Sequence, residues 1–325
     1  MPDDRELDAL LDRLVRRGVL PPDVEVRVAP FVGGVSADVI ALSFGDRRLV
    51  VKRALGRLRV AQEWLSSPIR VIVEADALGF ARRIRPDNVP EILDVDEETL
   101  TIVMTAAPPN MRDWKSELLE GVTDPAVGRS LGLALADWHS ASGADPDVRR
   151  RFADRSHFSD LRVSPFFETA ADVHRDLAPT IGAVVERMMG RAVCLVHGDF
   201  SPKNVLVAPG SFWVVDWEIA HIGDPTFDLA FLVSHLVCKA IHRPGNATGY
   251  RACSEVFLDS YFGASTVSAV PEDLLLQVGC LLLARVDGKS PATYLGPIER
   301  ERARAVGRGV LSGEIADAAD LWGRL

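Results

Sequence analysis

Leucines recur at helical spacing near the start of the chain and would line one face of a helix: Leu7, Leu10, Leu11 and Leu14. This pattern predicts an amphipathic helix over residues 3–17. Three runs rich in β-branched residues follow, separated by short turns, at 24–31, 38–44 and 48–54. They predict consecutive strands of a small antiparallel sheet.

After the third run the pattern becomes helical over roughly residues 57–84. Residues 91–107 then predict a hairpin, in which two apolar runs are joined by a turn at Glu97–Glu98. The proline pair Pro108–Pro109 ends this region, because proline lacks the backbone donor that the interior of a strand or helix needs.

The remainder of the chain is mainly helical in pattern. Residues 193–217 are the exception, since short apolar runs separated by turn residues predict strands there. The apolar stretch 229–238 predicts a buried helix, and the pair Asp224–Pro225 is typical of its start. We therefore predict an α+β protein with an N-terminal lobe at 1–107 and a mainly helical C-terminal lobe at 108–325.

Composition narrows the possible partners. The chain has 325 residues and a net charge of −9, which argues against a nucleic-acid partner. No apolar run approaches the roughly 18 residues that a membrane span needs, and the acidic N-terminus does not resemble a signal peptide. The four cysteines form no C-x-x-C pair, so we expect buried, reduced thiols. We expect a cytoplasmic protein, and the oligomeric state stays open.

The stretch "VCLVHGDFSPKNVLV" at 193–207 places polar residues between two apolar runs. Asn204 follows Asp199 by five residues, and Asp216 ends the later run "FWVVD". Carboxylate and amide oxygens of this kind suit Mg²⁺, which takes a few protein ligands together with phosphate oxygens. Phosphoryl transfer needs such a metal site and an Asp that receives the proton of the acceptor hydroxyl.

The N-terminal runs carry residues that suit a nucleotide. Lys52 ends the strand-like run "LVVK", where its ammonium group could hold phosphates. Glu74 in the predicted helix could pair with Lys52, although Glu63 is a competitor. The turn "GGVS", which contains Gly34 and Ser36, could cover the phosphates or simply form a tight hairpin.

Three motifs, "HGDFSPKN", "VVDWE" and "GDPTFDLAF", together resemble the aminoglycoside phosphotransferase and choline kinase family of the protein-kinase-like superfamily. The resemblance extends over roughly residues 25–240. It implies a two-lobed protein-kinase-like fold, with a small antiparallel-sheet N-lobe and a mainly helical C-lobe. It also implies Mg²⁺-dependent transfer of the γ-phosphoryl group of ATP or GTP to a hydroxyl of a small molecule.

The resemblance implies roles for the matching residues of the C-terminal lobe. Asp199 would be the catalytic base, and Asn204 and Asp216 would be magnesium ligands. Asp228 would tether the catalytic loop from a buried helix. Ser201 stands where Ser/Thr protein kinases carry a lysine, and this departure favours a small-molecule acceptor over a protein.

In the N-terminal lobe, the resemblance implies that Lys52 binds the α- and β-phosphates and that Glu74 is its ion-pair partner. Ser36 would approach a phosphate. The segment around Met104 and Ala106 would be the hinge whose backbone meets the adenine.

The stretch 282–296 leaves two interpretations open, a polar loop between helices or a loop that binds the acceptor through Arg285 and Lys289. The function is also open at this point. We predict a kinase for an antibiotic-like or aminoglycoside-like acceptor. The alternatives are a metabolic kinase for a sugar or amino alcohol, and a nucleotide-binding pseudokinase that acts as a regulator.

Overall fold

The computed structural model describes residues 4–30, 37–54 and 67–325. The chain divides into two compact units, Met1–Pro109 and Asn110–Leu325. The described part of the first unit contains a five-stranded antiparallel sheet, and the second unit is mainly helical. The α+β class predicted from the sequence is therefore confirmed.

The first unit pairs its strands in the order β1-β2-β3-β5-β4. Its elements are α1 (Asp4–Arg16), β1 (Arg27–Pro30), β2 (Ala37–Phe44), β3 (Arg47–Ala54), α2 (Arg70–Ile84), β4 (Ile92–Asp96) and β5 (Thr101–Thr105). Helix α1 places Leu14 in a buried apolar cluster with Ile40 and Leu42 of β2 and Val51 of β3. The leucine pattern of the sequence therefore forms the predicted helix because it covers one face of this sheet.

Helix α2 is shorter than the predicted helical stretch. Residues 67–69 precede its first turn, and Pro68 lies two residues before Arg70. Proline disfavours helical backbone in the residue before it, which explains a helix start after this point. The part of the prediction that covers 57–66 lies outside the described residues.

The predicted hairpin is confirmed, with β4 and β5 paired antiparallel. Its turn is stabilised by Asp96, whose Oδ1 accepts hydrogen bonds from the amides of Glu98 and Thr99 at 3.1 and 3.3 Å. An Asp that bonds to its own following backbone in this way is a common turn former.

The second unit combines many helices with a few short strands. Its helices are α3 (Trp114–Glu120), α4 (Pro125–Ala144), α5 (Pro146–Arg151), α6 (Ser156–Phe158), a π-helix (Ser159–Glu168), α7 (Thr169–Val173), α8 (Ala178–Gly190), α9 (Pro225–His242), α10 (Ala247–Ala264), α11 (Pro271–Asp287), α12 (Pro297–Ser312) and α13 (Ala318–Gly323), with 3₁₀ turns at Pro202–Asn204 and Pro244–Asn246. Its strands are β6 (Arg112–Asp113), β7 (Cys194–Val196), β8 (Val205–Ala208), β9 (Ser211–Val214) and β10 (His221–Gly223).

The strands predicted within 193–217 are confirmed as β7, β8 and β9. Strand β7 pairs with β10, and β8 lies between β6 and β9. The sequence analysis missed β6 and β10, because runs of two and three residues are too short to show an alternating pattern.

The helices of the second unit form its core. Helix α9 is buried over almost its whole length and starts as predicted, with the Asp224 side chain accepting from the amide of Thr226 at 3.1 Å. Helices α4 and α10 approach each other closely at Gly132, where a Cβ atom would lie 2.3 Å from the Phe257 carbonyl oxygen. Among the described residues, no helix is both long and apolar enough to cross a membrane.

Candidate active site

The loop between β7 and β8 carries the buried carboxylate of Asp199. Gly198 precedes it with φ +76°, in the left-handed region that favours glycine. A Cβ atom on Gly198 would also lie 2.9 Å from the carbonyl oxygen of Ile219. The loop conformation that presents Asp199 therefore depends on glycine at position 198.

Asp228 holds this loop from helix α9, as the sequence analysis predicted. Its Oδ2 accepts from the amide of His197 at 2.7 Å, and its Oδ1 accepts from the amide of Gly198 at 2.9 Å. Burial alone would raise the pKa of Asp228, but the hydrogen bond from His139 and these amides lower it below its usual value. Asp228 is thus an ionised anchor for the loop.

His139 and Tyr261 extend the anchor and were not found in the sequence. His139 Nε2 lies 3.2 Å from Asp228 Oδ2, and its Nδ1 lies 2.9 Å from the Tyr261 hydroxyl. Both residues are buried. A histidine at a core position of α4 is the signal that could have found His139, whereas Tyr261 offers none because only the packing of α10 on α4 brings it near.

His197 orients the loop and does not act as a base. Its Nδ1 accepts from the amide of Asp199 at 3.1 Å, and its Nε2 therefore carries the proton and donates to the carbonyl of Val215 at 3.1 Å. Burial lowers the pKa of His197, despite nearby carboxylates that raise it. The ring is therefore neutral with both nitrogens occupied.

Strand pairing brings Asn204 and Asp216 to the same place. The amide of Val215 donates to the carbonyl of Asn204 at 2.9 Å, so Asp216 follows directly after a residue bonded to Asn204. The Asn204 side chain donates through Nδ2 to the carbonyl of Asp199 at 3.0 Å, which leaves its Oδ1 for another role. Asp216 adopts φ +67°, an uncommon conformation for a residue with a side chain. Hard oxygens at this site fit a divalent cation.

Two cations hold the carboxylate of Asp199. Arg162 Nη2 lies 2.9 Å from Oδ1, and Lys203 Nζ lies 2.8 Å from Oδ2. Burial raises the pKa of Asp199, but the charges of Arg162 and Lys203 outweigh it, and the pKa lies below its usual value. Asp199 is therefore ionised at neutral pH.

The sequence analysis missed Arg162. It is buried, and its Nε also donates to the carbonyl of Gly198 at 2.9 Å. It belongs to the π-helix Ser159–Glu168, which contains Pro165. No residue pattern identifies a π-helix, so the contact between Arg162 and Asp199 could not be predicted from the sequence.

In the first unit, the predicted pairing of Lys52 with Glu74 is present. Lys52 Nζ lies 2.7 Å from Glu74 Oε2, and both side chains are buried. The role of the pair toward a nucleotide stays a prediction. Gly34, Ser36 and Glu63 lie outside the described residues.

The predicted adenine-binding segment ends strand β5. Met104 is buried, and the amide of Ala106 donates to the carbonyl of Arg48 at 3.1 Å. The amide of Thr105 likewise donates to the carbonyl of Glu91. An adenine contact here would therefore use carbonyl groups or amides beyond Ala106.

Arg285 lies in the last turn of α11, and not in a loop as the sequence suggested, because α11 continues to Asp287. Its Nη1 donates to the carbonyl of Ser290. Lys289 is exposed, and its backbone amide donates to the carbonyl of Pro165 in the π-helix at 3.1 Å. The segment 288–290 therefore packs against the element that carries Arg162.

Comparison with known sequences identifies similar proteins. A sequence profile of the phosphotransferase enzyme family matches residues 27–253. The chain is 25% identical over 229 residues to the methylthioribose kinase of Pectobacterium atrosepticum, and the match covers 62% of this chain and 56% of that protein. The chain thus spans little more than half the length of the curated relatives that it matches.

Two solved structures resemble the chain over nearly its whole length. A choline/ethanolamine kinase family protein from Mesorhizobium loti superposes with a TM-score of 0.58 at 17% identity, covering 98% of both chains. A spectinomycin phosphotransferase, solved with ADP and spectinomycin, gives a TM-score of 0.58 at 13% identity, covering 98% of this chain and 96% of the other. These neighbours confirm the fold class that the sequence predicted.

Proposed function

This chain belongs to the phosphotransferase enzyme family, and we propose that it is a kinase that phosphorylates a hydroxyl of a small, sugar-like metabolite. The observation that carries the proposal is the arrangement around Asp199, a buried ionised carboxylate on a loop that also holds Asn204 and is followed by Asp216. Phosphoryl transfer to an alcohol requires these parts.

Asp199 would receive the acceptor hydroxyl. Its ion pairs with Arg162 and Lys203 keep it deprotonated, so that it can accept a hydrogen bond from the hydroxyl and later its proton. These cations also make it a weak base. A weak base suits a loose transition state, in which the hydroxyl proton leaves late.

Asn204 and Asp216 would hold a divalent cation, for which we propose Mg²⁺. Such an ion would neutralise phosphate charge on the nucleotide. Lys52, directed by Glu74, would bind the α- and β-phosphates of ATP or GTP. The proposals for phosphate contact at Gly34 and Ser36, and for adenine contact at Met104 and Ala106, rest on the family resemblance.

The metabolic interpretation has more support than the antibiotic one. The relatives matched by sequence include methylthioribose kinases from bacteria and rice, which by name act on a sugar derivative. The spectinomycin phosphotransferase is similar at only 13% identity, which supports a shared fold and not a shared acceptor. We therefore propose a sugar-like acceptor in place of an antibiotic.

The proposal is tested by release of ADP from ATP with a panel of sugars, amino alcohols and aminoglycosides. We expect turnover with a sugar-like acceptor that stops in EDTA and returns with Mg²⁺. The matched control is Asp216→Ala, which should be inactive at every Mg²⁺ concentration. Nucleotide binding without turnover of any acceptor would favour the pseudokinase, and full activity in EDTA would exclude the proposed mechanism.

A further inference from the structure

Four side chains of the second unit form a group that we call the basic cluster: Lys115, His235, Lys239 and Arg285. In the part of the chain that the structure describes, no ion pair joins any of the four to a carboxylate, and Lys239 and Arg285 donate to backbone carbonyls instead. Burial lowers the pKa of His235, and the positive charges of Arg285, Lys239 and Lys115 lower it further. The charges of Arg285 and Lys115 thus act on both His235 and Lys239.

Lys239 is the most buried member of the basic cluster, with 1% of its surface exposed. Its Nζ lies 3.4 Å from the carbonyl oxygen of His235 and 5.5 Å from the centre of the Tyr294 ring. Burial, and then the charge of Arg285, lowers its pKa to about 7, although Cys238 and Asp113 act in the opposite direction. A buried amine without a carboxylate is unfavourable for folding, so packing alone does not explain it.

Two buried polar atoms, one within the cluster and one beside it, lack hydrogen-bond partners among the described residues. They are Arg285 Nε and the Tyr294 hydroxyl. Asp113, the acid whose charge reaches Lys239, is occupied as the cap of α3, where it accepts from the amide of Ser116 at 2.9 Å. Buried polar groups of this kind are normally hydrogen-bonded, so these two atoms are open to a water molecule or to a ligand.

The basic cluster is connected to Asp199. The Arg162 guanidinium, which pairs with Asp199, lies 5.3 Å from the centre of the Phe231 ring, and that ring lies 5.2 Å from the His235 ring. The Lys239 ammonium group lies beside the carbonyl of His235. His235 follows Phe231 by one helical turn, or about 6 Å along the helix axis. A chain of contacts through Arg162 and Phe231 thus joins Asp199 to the basic cluster.

We propose that the acceptor carries an anionic group, a phosphate or a carboxylate, which binds Lys239, Arg285 and His235. This inference rests on the proposed function, because it names the class of hydroxyl compound that the kinase would phosphorylate. An anion would supply the missing partner of each group. A cationic acceptor would be repelled by the basic cluster, and a neutral acceptor would leave its buried charges unpaired.

Matched acceptors test the proposal directly. ADP release is measured with ribose against ribose 5-phosphate, and with glucose against gluconate, glucose 6-phosphate and glucosamine. We expect kcat/KM to be at least about tenfold higher for an anionic member than for its neutral partner, the size of a hydrogen bond between charged groups. Comparison of glucose 6-phosphate with gluconate shows whether a phosphate or a carboxylate is preferred. Turnover that favours neutral or cationic members would overturn the proposal and leave the kinase function intact.

A binding measurement makes the test independent of turnover. Inorganic phosphate should raise the melting temperature of the wild type and raise it much less in Lys239→Met and Arg285→Gln. Phosphate bound at a nucleotide site would be unaffected by either change. The matched control is Arg251→Met, which removes an exposed charge paired with Glu255 and should behave like the wild type.

The same variants separate a binding role from a structural one. Lys239→Met removes an unfavourable buried amine, so its melting temperature without phosphate should equal or exceed that of the wild type. A structural lysine would instead give a lower melting temperature. Equal stabilisation by phosphate in all four proteins would overturn the inference, whether or not the protein proves to be a kinase.

Discussion

At the scale of single residues, the balance of charge around Asp199 determines its chemistry. A neighbouring cation favours the ionised form of a buried carboxylate, and Asp199 has Arg162 and Lys203 on its two oxygens. The lysine is half exposed and free to move toward a ligand, whereas the arginine is buried and also bonded to the carbonyl of Gly198. Arg162 is therefore the fixed positioning residue.

Replacement of Arg162 by Gln should change the pH profile. Arg162 lowers the pKa of Asp199, so its loss raises that pKa, and the acid limb of kcat moves to higher pH because the ionised form is the active one. At neutral pH we expect kcat to fall about ten- to a hundredfold through lost positioning, with little change in KM for ATP. Arg162→Lys, which keeps the charge, is the control. If the acid limb of Arg162→Gln lies at the same pH as that of the wild type, Arg162 does not control the ionisation of Asp199.

At the scale of elements, Gly132 allows helices α4 and α10 to pack closely. Helix α4 places Gly132 against the backbone of α10, where the Phe257 carbonyl fills the space of a side chain. The same pair of helices supplies His139 and Tyr261, which support the loop anchor Asp228. The separation of α4 from α10 therefore affects the catalytic loop.

Gly132→Ala should destabilise the protein by about 1–3 kcal/mol, because the added methyl group forces the helices apart. Gly182→Ala in helix α8 is the matched control, since a Cβ atom at that position would have no neighbouring side chain or helix within 4 Å. That change should stabilise by roughly 0.5–1 kcal/mol through helix propensity. Chemical denaturation of the two variants measures both values. Equal effects would mean that α4 and α10 are not closely packed.

The site residues differ in how far the sequence predicts them. Asp199, Asn204 and Asp216 were identifiable because their spacing along one loop and strand pair is local. Helix α1 and the β4–β5 hairpin were identifiable from periodicity. Arg162, His139 and Tyr261 were not, because their roles depend on a π-helix and on helix packing between residues more than thirty positions apart in the chain.

At the scale of the whole molecule, buried histidines couple stability to pH. His221 is buried, lies 4.2 Å from the Phe158 ring and donates through Nδ1 to the carbonyl of Ile219 at 2.9 Å. Burial lowers its pKa to about 4. The unfolded chain therefore takes up this proton at a higher pH than the folded one, and stability decreases as the pH falls from about 6.5 to about 4.

This histidine should contribute a loss of about 3 kcal/mol in the free energy of unfolding between pH 7 and pH 4. Urea denaturation at several pH values, in the wild type and in His221→Phe, measures the contribution. The variant should be less stable at pH 7, because it loses a hydrogen bond, but should lose less stability on acidification. The same decrease in both proteins would show that His221 is already protonated or exposed.

Asp199→Asn tests the catalytic assignment most directly, in a paired measurement of rate and binding. The amide keeps the shape of the carboxylate but cannot take a proton, so the phosphorylation rate with a working acceptor should fall about 10²- to 10⁴-fold. Nucleotide affinity, measured by calorimetry, should stay unchanged, because Lys52, Asn204 and Asp216 are intact. Loss of both rate and affinity would mean that Asp199 builds the loop or the metal site, and an unchanged rate would mean that the base lies elsewhere.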